Sequence, residues 1–165
     1  MYSIEEKAKR QRVRNYLSRY VISKRRIQQL TERLNNLKED EKEPLNGVTY
    51  SSTPKSSSIS QGSAAYLFRK EDIIENIEAQ RAEKYKSLAD IIAVINHLPE
   101  ESIKRLVLEY KYIDGLSGKE ICKKMYWASL SSVDTHLADA IGMLIDDNKA
   151  METINKYYEV KQNEN

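Results

Sequence analysis

The side chains best suited to chemistry in this 165-residue chain lie in a short polar stretch of its C-terminal third. Three hydroxyls and an imidazole fall within that stretch, at Ser131, Ser132, Thr135 and His136. Groups of this kind can hydrogen-bond to the edges of bases in the major groove of DNA. We therefore take these four residues as candidate DNA contacts. Two acids in the same part of the chain, Asp134 and Asp139, add no attraction for phosphate.

Two groups of basic residues could supply that attraction, because lysine and arginine neutralise phosphates and release counterions. The first precedes the polar stretch and consists of Lys119, Lys123 and Lys124. The second belongs to an N-terminal run from Lys7 to Arg26 that contains no acid. Its candidate contacts are Arg10, Arg12, Arg14, Arg25 and Arg26. A run of this kind can equally be a solvated helix face or a site for an acidic protein surface.

Catalysis is not expected from these residue types and spacings. The chain has no glycine-rich phosphate loop, no metal-ligand cluster and no nucleophile beside a plausible base. Its single cysteine, Cys122, excludes an intramolecular disulfide and a cysteine-based zinc site. We read Cys122 as a core residue, with a redox sensor as the alternative. His97 and His136 are too few for a metal site, so no catalytic residue, metal or cofactor is predicted.

Short helices must position the polar stretch. Ser117 and Glu120 have the spacing of a capping box, which opens a helix. A turn is predicted at Tyr126-Trp127-Ala128, and Ser129 or Ser131 can cap the next helix. We expect an earlier helix to begin near Pro99 and end at Gly115. Its inward face is expected to carry Ile103, Leu106, Val107, Tyr110 and Ile113.

The N-terminal part predicts two longer helices with heptad spacing. Between residues 4 and 42 the apolar rows are Val13, Tyr20, Ile27 and Leu34, and Tyr16, Leu30 and Leu37, with Ser23 as a break. Between residues 65 and 97 they are Leu67, Ile74, Leu88 and Ile95, and Ile77, Ile91 and Leu98, with Arg81 and Lys84 as exceptions. Narrow rows of this kind are typical of coiled coils. An antiparallel hairpin within one chain is the simplest arrangement, and two chains could also share the seam as a homodimer.

These elements predict an all-α protein: a long antiparallel coiled-coil hairpin followed by a helix-turn-helix domain. The predicted boundaries are 1–97 for the coiled-coil arm, 98–160 for the helix-turn-helix domain and 161–165 for a tail. A flexible serine-rich linker is predicted inside the arm at 43–65. The mean hydropathy of −0.68 and the charged fraction of 32% favour a chain with much exposed surface. No signal peptide or membrane helix is expected, which favours the cytoplasm.

Several short motifs follow one another in the C-terminal part: Leu98-Pro99-Glu100-Glu101, Tyr112-Ile113-Asp114-Gly115-Leu116-Ser117, Glu120-Ile121-Cys122, Met125-Tyr126-Trp127-Ala128-Ser129, Val133 and Ala140. In their order and spacing they resemble region 4 of sigma-70-type factors. The architecture is most similar to phage-encoded proteins of Gram-positive hosts that carry an N-terminal coiled coil before such a domain. In that family the turn usually has a glycine, and the recognition helix usually begins with Arg or Lys. This chain has neither.

The resemblance implies a transcription regulator of phage or prophage origin that binds double-stranded DNA at promoters, beside RNA polymerase or another transcription factor. Under this hypothesis the polar stretch reads bases, the preceding lysines contact phosphates and the N-terminal arginines form a second basic surface. The alternative is an adaptor or decoy that binds RNA polymerase, a sigma factor or a repressor without a specific DNA site. The acids on the recognition helix keep this alternative open.

Overall fold

The computed structural model describes residues 3–42 and 58–163, and every regular element in these ranges is an α-helix. The all-α prediction is therefore confirmed for this part of the chain. The helices are α1 (Ile4–Lys42), α2 (Ser58–Ile95), α3 (Ile103–Tyr112), α4 (Gly118–Met125), α5 (Leu130–Asp146) and α6 (Asn148–Asn163). None of the described helices has the length and apolar character needed to cross a membrane.

Two predicted segments end elsewhere than expected. Most of the predicted linker at 43–65 lies outside the described residues, but its last part is helical because α2 already begins at Ser58. That part follows Pro54 and has only Gly62 as an interior helix weakener, which costs about 1 kcal/mol relative to alanine. At the other end, α6 continues past Val160 to Asn163 and takes in most of the predicted tail.

The chain divides into two compact units whose boundary differs from the predicted one between residues 97 and 98. The head unit comprises Met1–Ile22 and Lys84–Asn165, and the arm unit comprises Ser23–Glu83. The first five turns of α1 and the last three of α2 thus belong to the head unit. Heptad spacing could not reveal this division, because the same apolar rows run through both units.

The larger of two apolar cores in the head unit receives residues from five helices. From α1 come Val13, Tyr16 and Leu17, all with 1% exposure or less. The remaining fully enclosed members come from α2, α3, α5 and α6: Ile91, Val94, Ile95, Leu108, Ala140, Ile141, Leu144, Ala150 and Ile154. Leu17 lies outside the predicted heptad rows but one turn after Val13 on the same face, so its burial shows that the packed face of α1 is wider there than a coiled-coil seam.

In the arm unit, a shallow groove is lined by Arg33 and Leu37 of α1 and by Arg69 and Ile73 of α2. The two helices therefore lie side by side there. The predicted α1 row is the less exposed face, since Leu30 is 3% exposed and Ser23 only 4%. Coiled-coil packing in the strict sense, with knobs in holes, stays a prediction.

In the arm unit, one of the two rows predicted for α2 is displaced by one residue, whereas Ile95, the last member of that row, is buried as predicted. Leu67 and Ile74 are 50% and 39% exposed, whereas their neighbours Tyr66 and Ile73 are less exposed. Both rows have a spacing of seven, so the periodicity alone fits either. In the arm unit the buried neighbour Ile77 selects the earlier row, since Ile73 and Ile77 are one turn apart on the same face.

The inward face of α3 also differs from the prediction. Val107, Leu108 and Tyr112 are buried, while Ile103 and Leu106 are 49% and 36% exposed. The helix begins after Ser102, whose hydroxyl accepts from the Lys104 amide, and not near Pro99.

The helix also ends earlier than predicted, at Tyr112. Gly115 has φ +76° and lies in the loop beyond the helix end. A left-handed position of this kind favours glycine. Gly115 was therefore correctly predicted to lie where the chain leaves the helix, but the helix ends three residues before it.

Burial of tyrosine hydroxyls predicts alkaline sensitivity. Desolvation raises the pKa of Tyr16 to about 12, and it also raises the pKa of Tyr112. Since the unfolded phenol titrates near about 10, stability should be complete below that pH and fall as the pH approaches the folded value. In Tyr16→Phe the free energy of unfolding should fall less steeply between these pH values, while at neutral pH it should match that of the wild type. Urea melts at stepped pH would show it, and an unchanged alkaline loss would contradict it.

Candidate nucleic-acid interface

The capping box that opens α4 is confirmed. The Ser117 hydroxyl accepts from the Glu120 amide at 3.3 Å, and a Glu120 carboxylate oxygen accepts from the Ser117 amide at 2.7 Å. The Ser117 hydroxyl also donates to this carboxylate. This hydrogen bond and the one from the Ser117 amide lower the pKa of Glu120. These bonds satisfy two amides that a helix start leaves open and fix where α4 begins.

The turn after α4 keeps a left-handed position without glycine. Tyr126 has φ 55° and ψ 34°, and its amide donates to the carbonyls of Cys122 and Lys123. The Trp127 amide donates to the Cys122 carbonyl at 2.9 Å, which completes a Schellman pattern. The absence of glycine has therefore not reshaped the turn. The backbone strain at Tyr126 is accepted, at about 1 to 2 kcal/mol for a residue with a Cβ.

Helix α5 begins at Leu130 after Ser129, whose side chain makes no capping hydrogen bond. The Ser129 hydroxyl lies 3.5 Å from the Ser132 hydroxyl, and the Ser129 carbonyl accepts from the Cys122 thiol at 3.2 Å. Ser129 is thus the residue at the helix start, as one of the two predicted alternatives had it. Cys122 is half-buried here, which agrees with a packing role.

A small second core holds α3, α4 and α5 together. It consists of Val107, Ile121 and Val133, each with 1% exposure or less. Partly buried residues pack against it: Tyr110, Leu116, Cys122, Met125, Trp127 and Leu137. Each of the three helices contributes one enclosed β-branched residue to this core, which fixes the orientation of α4 and α5. The faces of α4 and of the first turns of α5 that point away from this core are exposed to solvent.

Of the four candidate base contacts on α5, the structure leaves two fully on the surface. Ser131 and Thr135 are exposed, and the Thr135 hydroxyl donates back to the Ser131 carbonyl at 2.9 Å. Ser132 is half-buried. These three remain on or near one face of the first turns of α5.

His136 is placed differently from the exposed position predicted for it. Its ring stacks on Trp127 with centroids 4.7 Å apart and planes 20° apart. The residue is half-buried, and its Nδ1 is enclosed with no hydrogen-bond partner in the described part of the chain. The imidazole, nearly two turns into α5, thus covers the Trp127 ring in the turn. Trp127 is accordingly a packing residue.

The three predicted lysines of α4 lie on the surface. Lys119, Lys123 and Lys124 are all exposed, and the Lys124 ammonium lies 4.9 Å from the centre of the Tyr110 ring. Helix α5 itself contains no lysine or arginine. Its exposed acid Asp139 lies 3.6 Å from the Lys104 ammonium, which offsets one of the negative charges near α5.

The N-terminal arginines do not form one uniform basic surface. The Arg10 guanidinium donates to the Ala138 carbonyl of α5 at 2.8 Å and pairs with Glu6. Arg10, predicted as a DNA contact, thus fastens α1 to α5. Arg12 stacks over the Tyr158 ring at 4.7 Å, while Arg14 is exposed. Arg25 and Arg26 are exposed in the arm unit.

Sequence reasoning missed two features of this region. Tyr126 is 96% exposed at the turn, whereas sequence reasoning had noted only that the turn lacks a glycine. The Arg10 contact with α5 was also unforeseen, since nothing in a basic run separates an arginine that docks from one that is solvated. A comparison with protein-family models found no match, and searches of curated proteins and of solved structures found none either.

Proposed function

We propose that this chain is a DNA-binding transcription regulator of phage or prophage origin that acts at promoters through a sigma region 4-like helix-turn-helix formed by α4 and α5. The single observation that carries the proposal is the geometry at the turn. Two short helices are joined by the residues 126–129 over a shared core of Val107, Ile121 and Val133. Helices joined in this way are the usual means of presenting a second helix to the major groove.

In this proposal the two helices divide the work. The α4 lysines contact phosphates, which positions the domain, because the first helix of such a motif crosses the DNA backbone. Ser131 and Thr135 face the bases at the start of α5, with Ser132 beside them. His136 holds the turn against Trp127 instead of reading a base.

The test uses the full chain, because residues of α1 belong to the core of the head unit. Replacing Lys119, Lys123 and Lys124 together with alanine should weaken duplex binding about a hundredfold and reduce the salt dependence by about three phosphate contacts. Fluorescence anisotropy with a labelled duplex at several salt concentrations gives both quantities.

Two control variants locate the effect. Removing Lys149, Lys156 and Lys161 on α6 takes away the same charge elsewhere and should change affinity far less. Replacing Arg25 and Arg26 with alanine reports on the arm unit. If the arm variant abolishes binding while the α4 variant matches the wild type, the head unit is not the DNA-binding part.

The second candidate is an adaptor that binds polymerase, a sigma factor or a repressor without a specific DNA site. One observation favours it: α5 carries Asp134 and Asp139 on exposed positions and no basic residue. A helix of this charge adds nothing to phosphate attraction. Capture of purified RNA polymerase by the full chain, with no measurable duplex binding at low salt, would favour the adaptor over the DNA-binding regulator.

A further inference from the structure

Tyr126 occupies the turn at a cost that the fold does not recover. Its φ of 55° lies in the region that disfavours side chains with a Cβ. At 96% exposure its ring gains almost nothing from packing. Glycine would serve the same turn without strain. Strain of this kind is often retained where a residue meets a ligand.

The chain just before Tyr126 carries positive charge. Lys124 and Lys123 lie two and three residues before it at the end of α4, and both are exposed. The acid of the same helix, Glu120, is engaged with Ser117 in the capping box. The next acid along the chain, Asp134, lies a full turn into α5. An exposed phenol hydroxyl that follows two exposed lysines in the chain suits an anionic acceptor.

We propose that the Tyr126 hydroxyl donates a hydrogen bond to a phosphate oxygen of duplex DNA, and this inference rests on the proposed function. Tyrosine hydroxyls are among the groups that make phosphate contacts and set the register of a protein on its site. An aromatic residue that anchors a protein partner is usually surrounded by apolar neighbours that exclude water. The two exposed lysines in the last turn of α4 favour the phosphate. The left-handed backbone then serves to hold the ring outward from the turn.

Three variants of the full chain separate the hydroxyl from the backbone strain. Tyr126→Phe keeps the ring and the strain but loses the donor. Tyr126→Asn and Tyr126→Gly lose the side chain, and both residue types tolerate a left-handed backbone. The measurements are the urea midpoint and the affinity for two unrelated labelled duplexes of about 30 base pairs, roughly three helical turns.

The glycine and asparagine variants should be as stable as the wild type or more stable, yet bind more weakly. All three variants should lose about ten- to a hundredfold in affinity, the scale of one hydrogen bond to a charged group. The loss should be equal on both duplexes, because a phosphate contact carries no sequence information. The salt dependence should stay unchanged, because a phenol releases no counterion, whereas Lys123→Ala should reduce it by about one.

Wild-type affinity in Tyr126→Phe, on a chain that does bind duplex, would overturn the phosphate contact and leave the proposed function standing. A loss confined to one of the two duplexes would overturn it as well. If the wild type fails to bind either duplex at low salt, the proposed function fails and this inference with it. If the Tyr126 variants kept their affinity for DNA but lost binding to purified polymerase, Tyr126 would contact a protein partner. That result would also overturn the proposal.

Discussion

Leu17→Ala should destabilise the head unit by about 3 kcal/mol, within the range for emptying a fully buried leucine site. Leu17 is completely buried in the core that α1 shares with α2, α3, α5 and α6. Since that core reaches the helices next to the turn, the loss should appear in the unfolding of the head unit as a whole. Urea denaturation followed by circular dichroism measures the change in the free energy of unfolding.

Ile22→Ala is the matched control for this prediction. It removes an aliphatic side chain from the same helix, but Ile22 is 59% exposed. Its effect should stay within about 0.5 kcal/mol, as for most surface substitutions. If Leu17→Ala cost as little as Ile22→Ala, the start of α1 would not be part of the core of the head unit.

Arg19→Ala should destabilise the protein by about 3 kcal/mol, since it removes a buried guanidinium together with its charge pair to the part-exposed Asp90 and two ring contacts. Arg19 is 8% exposed, and its guanidinium lies 3.2 Å from the Asp90 carboxylate. The guanidinium carbon is 4.2 Å from the centre of the Tyr16 ring and 3.9 Å from that of Tyr157. One side chain therefore joins α1, α2 and α6. The free energy of unfolding measures the loss.

Two further variants show which property of Arg19 matters. Arg19→Lys keeps the charge but not the planar group that stacks on rings, so it should recover only part of the stability. Arg12→Ala removes a similar ring contact, that with Tyr158, but Arg12 is only half-buried. Its loss should therefore cost well under half as much. Equal losses for Arg12→Ala and Arg19→Ala would show that burial of Arg19 adds nothing.

The sequence was sufficient for those features that depend on local chemistry. The capping box at Ser117 and Glu120 was predictable because its two hydrogen bonds are made within one helical turn. The same holds for the turn before α5 and for the helical nature of the chain. Leu30 was correctly placed inward from its spacing alone, since a row of apolar residues must be covered somewhere.

Features that depend on distant partners were not predictable. Arg19 is charged and lies off the heptad rows, so nothing in α1 itself indicated that it is buried. Leu17 lies on the same face as Val13, and only the core beneath it shows that this face is wider than the heptad rows. In α3, apolar residues lie on two sides, and the choice of Leu108 over Leu106 as the inward residue depends on the core beneath it. Sequence spacing constrains which faces can be covered, and tertiary packing decides which face is.

The candidate site shows the same division. The exposure of Lys119, Lys123 and Lys124 was expected from a short amphipathic helix. The stacking of His136 on Trp127 was not, because a histidine on a polar face gives no sign of an aromatic neighbour in the preceding turn. Four candidate contacts on α5 therefore reduce to Ser131 and Thr135, with Ser132 half-buried beside them.

The most direct test of the account is to map amide chemical shifts of the full chain during titration with duplex DNA. The account predicts that the largest changes lie at Lys119, Lys123, Tyr126, Ser131 and Thr135, on α4, the turn and the start of α5. Unchanged signals at these five residues, with all changes confined to Arg25, Arg26 and their neighbours in the arm unit, would contradict it.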